Sequence, residues 1–275
     1  TIFIYPFSRR LMYDLNSRVA GGIWWVMQYI FEKQHGAVIT YSGDTIPFKE
    51  SAMVIANHQS FVDFYLIHSL ALRRRILSYC KYFAKDSLKY IPFFGWGMWL
   101  MGMMYIKRNW LHDRRNINNM FQRVREDQPP IWLISYLEGT RVTPEKLAES
   151  KAFAKSRCLP ILNNLLLPRT KGFCECIRQL RDTHVQHLYD LTIVYTHQKD
   201  GVGISPSLVR VHTGSLGKEY SFHVYVRRFP LKDLPTEDDA LTQWIYRLYQ
   251  EKDEYLQRVK DQGLDMEKVR REPWF

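Results

Sequence analysis

The sequence predicts an α/β fold: a mostly parallel or mixed central sheet flanked by helices. Short apolar runs recur at 53–56, 131–136 and 191–195. Uninterrupted runs of that length suit strands buried on both faces. Helical start signals and helical spacing separate them, and such alternation places helices on both sides of a sheet. At 275 residues the chain is long enough for one sizeable core.

Taken in order, residues 1–35 read as an apolar, helical, membrane-docking segment. Within it, Val19 to Phe31 carries no charge between Arg18 and Glu32. That stretch is too short to cross a bilayer, which needs roughly 20 residues. Its tryptophans, Trp24 and Trp25, suit the interfacial belt. A helix lying in one leaflet, the end of a longer anchor and a buried core helix all stay open.

The body of the domain spans 36–235. A weak strand at 38–41 runs into the Ser42-Gly43-Asp44 turn. Strand 53–56 leads through a loop to a helix from about Ser60 to Arg73. Ile76 to Phe83 reads as a strand, and Asp86 to Leu88 as the start of a short helix. No residue from Tyr90 to Ile106 is charged, yet Pro92 and the glycines at 95, 97 and 102 argue against a straight spanning helix. The pattern predicts a short helix over 94–101 and a strand over 103–107. A charged helix at 113–127 precedes strand 131–136. Thr143-Pro144 opens a polar helix with proline in its first turn. Buried strand 191–195 and alternating strand 222–226 follow. Residues 236–275 read as a helical extension, started by Thr236-Glu237-Asp238-Asp239.

The excess of 39 basic over 28 acidic residues leaves a net charge of +11. Such a surface meets nucleic acid, anionic lipid or a phosphorylated substrate. Its basic clusters, Arg73-Arg74-Arg75 and Arg114-Arg115, lie beside apolar, tryptophan-rich stretches. That mixture suits a membrane surface better than a duplex backbone, so nucleic acid is not an expected partner. The four cysteines form no C-x-x-C pair, and no histidine spacing suggests zinc. They read as reduced thiols on the cytosolic side of a membrane, and no metal site is expected.

The run Asn57-His58-Gln59-Ser60-Phe61-Val62-Asp63 leaves the apolar strand at 53–56. It puts His58 in a strand-to-helix loop and Asp63 in the first helical turn. Folded back, Asp63 accepts a bond from His58 Nδ1–H and leaves Nε2 to take a proton from a hydroxyl. This is the base half of a catalytic triad, with the nucleophile supplied by substrate. Ser60-x-x-Asp63 is also a capping box, and the two readings are compatible.

The N-H-x-x-x-x-D pattern of that run resembles the first signature of the glycerophospholipid acyltransferases, which act on glycerol-3-phosphate and lysophospholipids. Gly102-Met103-Met104-Tyr105-Ile106-Lys107-Arg108 resembles the family's second block, and Glu138-Gly139-Thr140-Arg141 its third. Leu167-Pro168-Arg169-Thr170-Lys171-Gly172-Phe173 is similar to a segment of one branch, that of the lysophosphatidic acid, lysophosphatidylinositol and lysocardiolipin acyltransferases. Trp244, Lys252-Asp253 and Leu256 resemble the same branch. The resemblance runs roughly from Ala37 to Leu256. It departs at Tyr136-Leu137, where the third block usually begins Phe-Pro, and at Tyr105, where the second usually has Phe.

The resemblance implies transfer of an acyl group from acyl-CoA, a co-substrate, to the hydroxyl of an anionic lysophospholipid, either lysophosphatidic acid or lysophosphatidylinositol. His58 would act as base, oriented by Asp63, with backbone amides of the His58 or Gly139 loop stabilising the oxyanion. Arg141 and Arg108 would fork onto the acceptor's phosphate, with Lys107 as a point charge. Glu138 would hold Arg141 or bond the glycerol, Gly139 would let backbone approach substrate, and Thr140 would add a hydroxyl. Arg169 and Lys171 would bind CoA phosphates, the head group or only solvent. The apolar stretch 90–106 would wall an acyl groove or simply pack in the core. No metal or redox cofactor is implied. The expected setting is the endoplasmic reticulum membrane, with no protein partner specified. A silent lipid-binding protein of this fold and an acyl-CoA thioesterase are the competing readings.

Overall fold

A computed structural model describes residues 9–90, 98, 102–106 and 110–274. Of the expected helix over 94–101 only residue 98 is described, and of the expected groove wall over 90–106 only residues 90, 98 and 102–106; Lys107 and Arg108 lie outside the described residues. The strands are β1 (Val38–Gly43), β2 (Ala52–Ala56), β3 (Cys80–Lys85), β4 (Met104–Ile106), β5 (Trp132–Ser135), β6 (His187–His197), β7 (Gly201–Val202) and β8 (Tyr220–Pro230). They form an eight-stranded sheet in the order β1-β8-β6-β2-β5-β3-β4, with β7 paired to β6. From β6 across to β4 every pairing is parallel. β6 and β8 pair antiparallel along their whole length, and β1 runs parallel to β8.

The helices are α1 (Arg9–Tyr29), α2 (Asp63–Arg73), α3 (Trp110–Asp127), α4 (Pro144–Ser156), α5 (Thr170–Leu180), α6 (Leu208–His212) and α7 (Asp238–Gln262). Strand β2 shows why the sheet is covered twice. Ala52, Val54 and Ala56 pack into a core shared with α2, and Met53 and Ile55 into one shared with α3, α5 and α7. All five side chains are fully buried, so period-two alternation sends apolar groups both ways.

The C-terminal segment is part of this body. Leu241, Ile245, Leu248, Tyr249, Leu256 and Val259 of α7 are buried in the second core. Beyond the helix, Arg270 exchanges two backbone bonds of 2.8 Å with Tyr41 on β1, and Trp274 Nε1 donates to Glu32 at 2.7 Å.

Helix α1 packs on the body by one side and is apolar on the other. Its inner side buries Ser17, Ala20 and Gln28. Gly21 permits that approach: a Cβ there would meet Ser78 Oγ at 2.0 Å. The outer side exposes Leu11, Leu15, Val19 and Ile23 at four-residue intervals, with Val26 beyond. Among the described residues no helix is long and apolar enough to cross a membrane.

Candidate active site

The site is built where β2 and β5 run out into loops. Asn57 extends the β2 ladder with its side chain. Its Nδ2 donates to the Ile193 carbonyl at 3.0 Å, and the Ile193 amide donates to its Oδ1 at 2.7 Å. The carboxamide thus imitates a backbone donor–acceptor pair, and the next loop leaves the sheet from a fixed point.

His58 Nδ1 then lies 2.8 Å from Asp63 Oδ2. The same oxygen accepts the amides of Gln59 at 2.9 Å and Ser60 at 3.0 Å. Oδ1 accepts the Tyr195 hydroxyl at 2.5 Å. The carboxylate is fully enclosed, and its bonds hold it in one orientation. Since it accepts at Nδ1, the imidazole proton sits there and Nε2 is the acceptor. The ring stacks on Tyr136, centroids 4.2 Å apart, and the His58 side chain is 21% exposed. Only half of the capping box forms: Asp63 reaches back to the Ser60 amide, but Ser60 Oγ accepts the Val62 amide at 3.2 Å, and the helix starts from Val62 with no side-chain cap.

Glu138 does not hold Arg141. It is buried, and its two oxygens accept the amides of His58 at 2.9 Å and Leu166 at 3.1 Å. The Val142 amide donates to the His58 carbonyl at 2.9 Å. Glu138 is thus a strut tying the His58 loop to the segment before α5, enclosed too deeply to bond a glycerol. Burial pushes its carboxyl up to about 8 against the two amides, which pull it down.

A raised acid contributes stability that is complete below its unfolded value and is lost as pH rises through the folded one. Glu138→Gln, which cannot titrate, is expected to be less stable than wild type at pH 6, because its NH₂ faces an amide donor. The gap should narrow as pH rises from 6 toward 8 and stay level above it. Urea midpoints of both proteins across that range check this, and a pH-independent gap would refute it.

Arg141 is exposed and lies over Phe61, its guanidinium carbon 3.9 Å from the ring centroid. Phe61 belongs to the base loop, so this cation–π contact brings a cation onto that loop without neutralising it. Gly139 takes a left-handed φ of +72°, and a Cβ there would meet Arg169 Nε at 2.7 Å. The space expected for a substrate is filled by Arg169, which the fold brings against this loop. Thr140 is half-buried in it. Lys171 is exposed on the first turn of α5.

Several amides of these two loops, where the oxyanion donors are expected, are engaged within the protein. The amides of His58, Gln59, Ser60 and Val62 donate to side chains as described, and those of Asp63 and Gly139 to backbone carbonyls. Residues not expected at the site include Tyr195, whose place at the end of an apolar run marks it only as core. Asp253 is another: it accepts the Asn163 and Asn164 amides at 2.9 and 2.6 Å and so anchors the segment that reaches Glu138.

A doubly covered sheet carrying a His–Asp pair at one strand end, strapped to a Glu-Gly-Thr-Arg loop at the next, defines an acyltransferase. Residues 38–196 match the acyltransferase family profile, and 216–268 the profile of the acyltransferase C-terminus. The chain belongs to the glycerophospholipid acyltransferase family and is an acyltransferase. It is similar to 1-acyl-sn-glycerol-3-phosphate acyltransferase gamma of Homo sapiens, 33% identical over all of this chain and 72% of that protein. The delta enzyme of Homo sapiens is 33% identical over 93% of this chain and 66% of its own. The 1-acyl-sn-glycerol-3-phosphate acyltransferase 2 of Arabidopsis thaliana is 32% identical over 94% and 65%.

Proposed function

We propose that this protein transfers a fatty acyl group from acyl-CoA to the free hydroxyl of an anionic lysophospholipid at a membrane surface. The observation that carries the reading is the pairing of a hydroxyl-directed base, His58 Nε2, with the exposed cation Arg141, which reaches from the next loop over Phe61 of the base loop. The relatives are named for 1-acyl-sn-glycerol-3-phosphate, which makes lysophosphatidic acid the first acceptor to test and lysophosphatidylinositol the second.

In this reading His58 takes the acceptor's hydroxyl proton as its oxygen attacks the thioester carbonyl. The tetrahedral intermediate collapses, the C–S bond breaks, and the CoA sulfur leaves with the proton from His58. Arg141 holds the acceptor's phosphate, with Arg169 against the Gly139 loop and Lys171 two residues further along. The transfer is direct. Ser60, the hydroxyl nearest in sequence, is buried and accepts the Val62 amide, and Cys80, Cys174 and Cys176 are buried. An acyl transfer of this kind balances without a redox partner. The outer stripe of α1, apolar and next to Arg10 and Arg18, supports contact with one leaflet. A cytosolic face of the endoplasmic reticulum is the proposed setting.

The test is CoA release from oleoyl-CoA by purified protein in detergent, against lysophosphatidic acid, lysophosphatidylinositol, lysophosphatidylglycerol and lysophosphatidylcholine. Release that requires an anionic acceptor supports the reading. Release without acceptor would make the protein a thioesterase, and no release from folded protein would favour the silent lipid binder. In the same assay Arg141→Ala is expected to raise the acceptor KM roughly tenfold with kcat little changed, the mark of a lost ground-state contact. An unaltered acceptor KM would remove Arg141 from the phosphate site.

A further inference from the structure

We infer that Tyr195 is a positioning residue of the catalytic pair, tuning the base strength of His58 through the far oxygen of Asp63. The inference rests on His58 being the base, as proposed above.

The geometry separates the two ends of the Asp63 carboxylate. Oδ2 is filled by His58, Gln59 and Ser60, all from its own loop. Oδ1 accepts the Tyr195 hydroxyl, which reaches it from the sheet. Tyr195 sits two residues after Ile193 on β6, and Ile193 is the residue that Asn57 clamps. One strand therefore fixes both the start of the base loop, at Asn57, and its end, at Asp63. The phenol and the carboxylate are both fully buried, so the bond is shielded from competing water.

The consequence is electrostatic. A hydroxyl on Oδ1 draws charge away from Oδ2. Without it the carboxylate would favour the imidazolium more strongly, and His58 would stay protonated to higher pH. Other groups also sense Asp63: the Tyr82 phenol from β3, and Tyr136 and Glu138 after β5. Of these only Glu138 titrates near neutrality, and its amide donors do not involve Tyr195. Burial holds the Tyr195 phenol well above its ordinary value, so it stays a donor throughout any workable assay range.

The experiment is the pH profile of kcat for Tyr195→Phe, measured beside wild type and His58→Ala. The Phe variant is expected to lose on the order of tenfold in kcat at the plateau, comparable to one hydrogen bond to a charged group. Its acid limb should move up by roughly half a pH unit or more, with both KM values unchanged. Site-specific 3-fluorotyrosine at 195, a stronger donor, should move the limb the other way and guards against a Phe variant that folds poorly. A profile that superimposes on wild type overturns the inference, as does a lower kcat with no movement of the limb in either variant. Substantial activity in His58→Ala would instead overturn the base assignment, so the two failures are distinguishable.

Discussion

Replacing His58 by alanine abolishes acyl transfer and leaves the protein folded. The two halves of this expectation come from different atoms. The structural work of His58 is done by its backbone, whose amide donates to Glu138 and whose carbonyl accepts from Val142. Alanine keeps both. What is lost is a partly exposed ring stacked on Tyr136, about 1 kcal/mol of packing, and one bond to Asp63 Oδ2, which keeps the amides of Gln59 and Ser60. Catalysis, by contrast, loses its general base, a contribution of roughly 10²–10⁴ in rate. Thermal melting and kcat measured on one preparation check both halves. Transfer within tenfold of wild type, from a variant with a normal melt, would mean that another group takes the proton. Asp63 is a poorer target for the same question. Its carboxylate also accepts from Gln59, Ser60 and Tyr195, so a variant there would confuse lost folding with lost chemistry.

The parts of this architecture that could be read from the chain are those whose signal is local. Buried runs such as Met53-Val54-Ile55-Ala56 announce central strands by composition, and β2 occupies 52–56. The long C-terminal helix is legible from its acidic start, but the helical extension expected over 236–275 stops at Gln262, where Gly263 takes φ +80°. Helix α5 was hidden. Its opening residues Thr170-Lys171-Gly172-Phe173 look like a binding loop, and only the burial of Phe173, Cys174, Ile177 and Leu180 against the second core makes the segment helical. The full antiparallel pairing of β6 with β8 was hidden too, because partner choice across a sheet is a long-range matter. At the site, the His58–Asp63 bond was legible because sequence-local geometry closes it. The roles of Glu138 and Tyr195 were not. A glutamate that accepts two backbone amides and a tyrosine that ends a core strand carry no local mark of what they touch.

The largest stability effect is expected at Asp190, where β6, β8 and α7 meet. Lys252 Nζ lies 2.5 Å from Asp190 Oδ1 and also donates to the Leu191 carbonyl at 3.1 Å. Arg227, directly opposite in the strand register, lies 2.8 Å from Oδ2. Asp190 and Lys252 are both 0% exposed, so neither can find water if its partner goes. Burial already lowers the Lys252 pKa while Asp190 raises it. Asp190→Ala therefore leaves an ammonium that must lose its proton or stay buried unpaired. A loss of roughly 3–5 kcal/mol follows for a broken buried pair, a fall in Tm on the order of 10 °C. Lys252→Met should cost less, since Asp190 keeps Arg227. The double change Asp190→Leu with Lys252→Met should recover most of the loss, because Arg227 retains Glu251 and the Leu248 carbonyl and no buried charge is left alone. Denaturant midpoints of the four proteins give the ordering, and a wild-type midpoint for Asp190→Ala would show that the charges contribute nothing. The active site shares the outcome. Asp253, next to Lys252 on α7, anchors Asn163 and Asn164, and Leu166 beyond them meets the Glu138 strut that holds the His58 loop. Loosening α7 at Asp190 should therefore slow catalysis at temperatures where the sheet is still folded, with kcat falling before the melt begins.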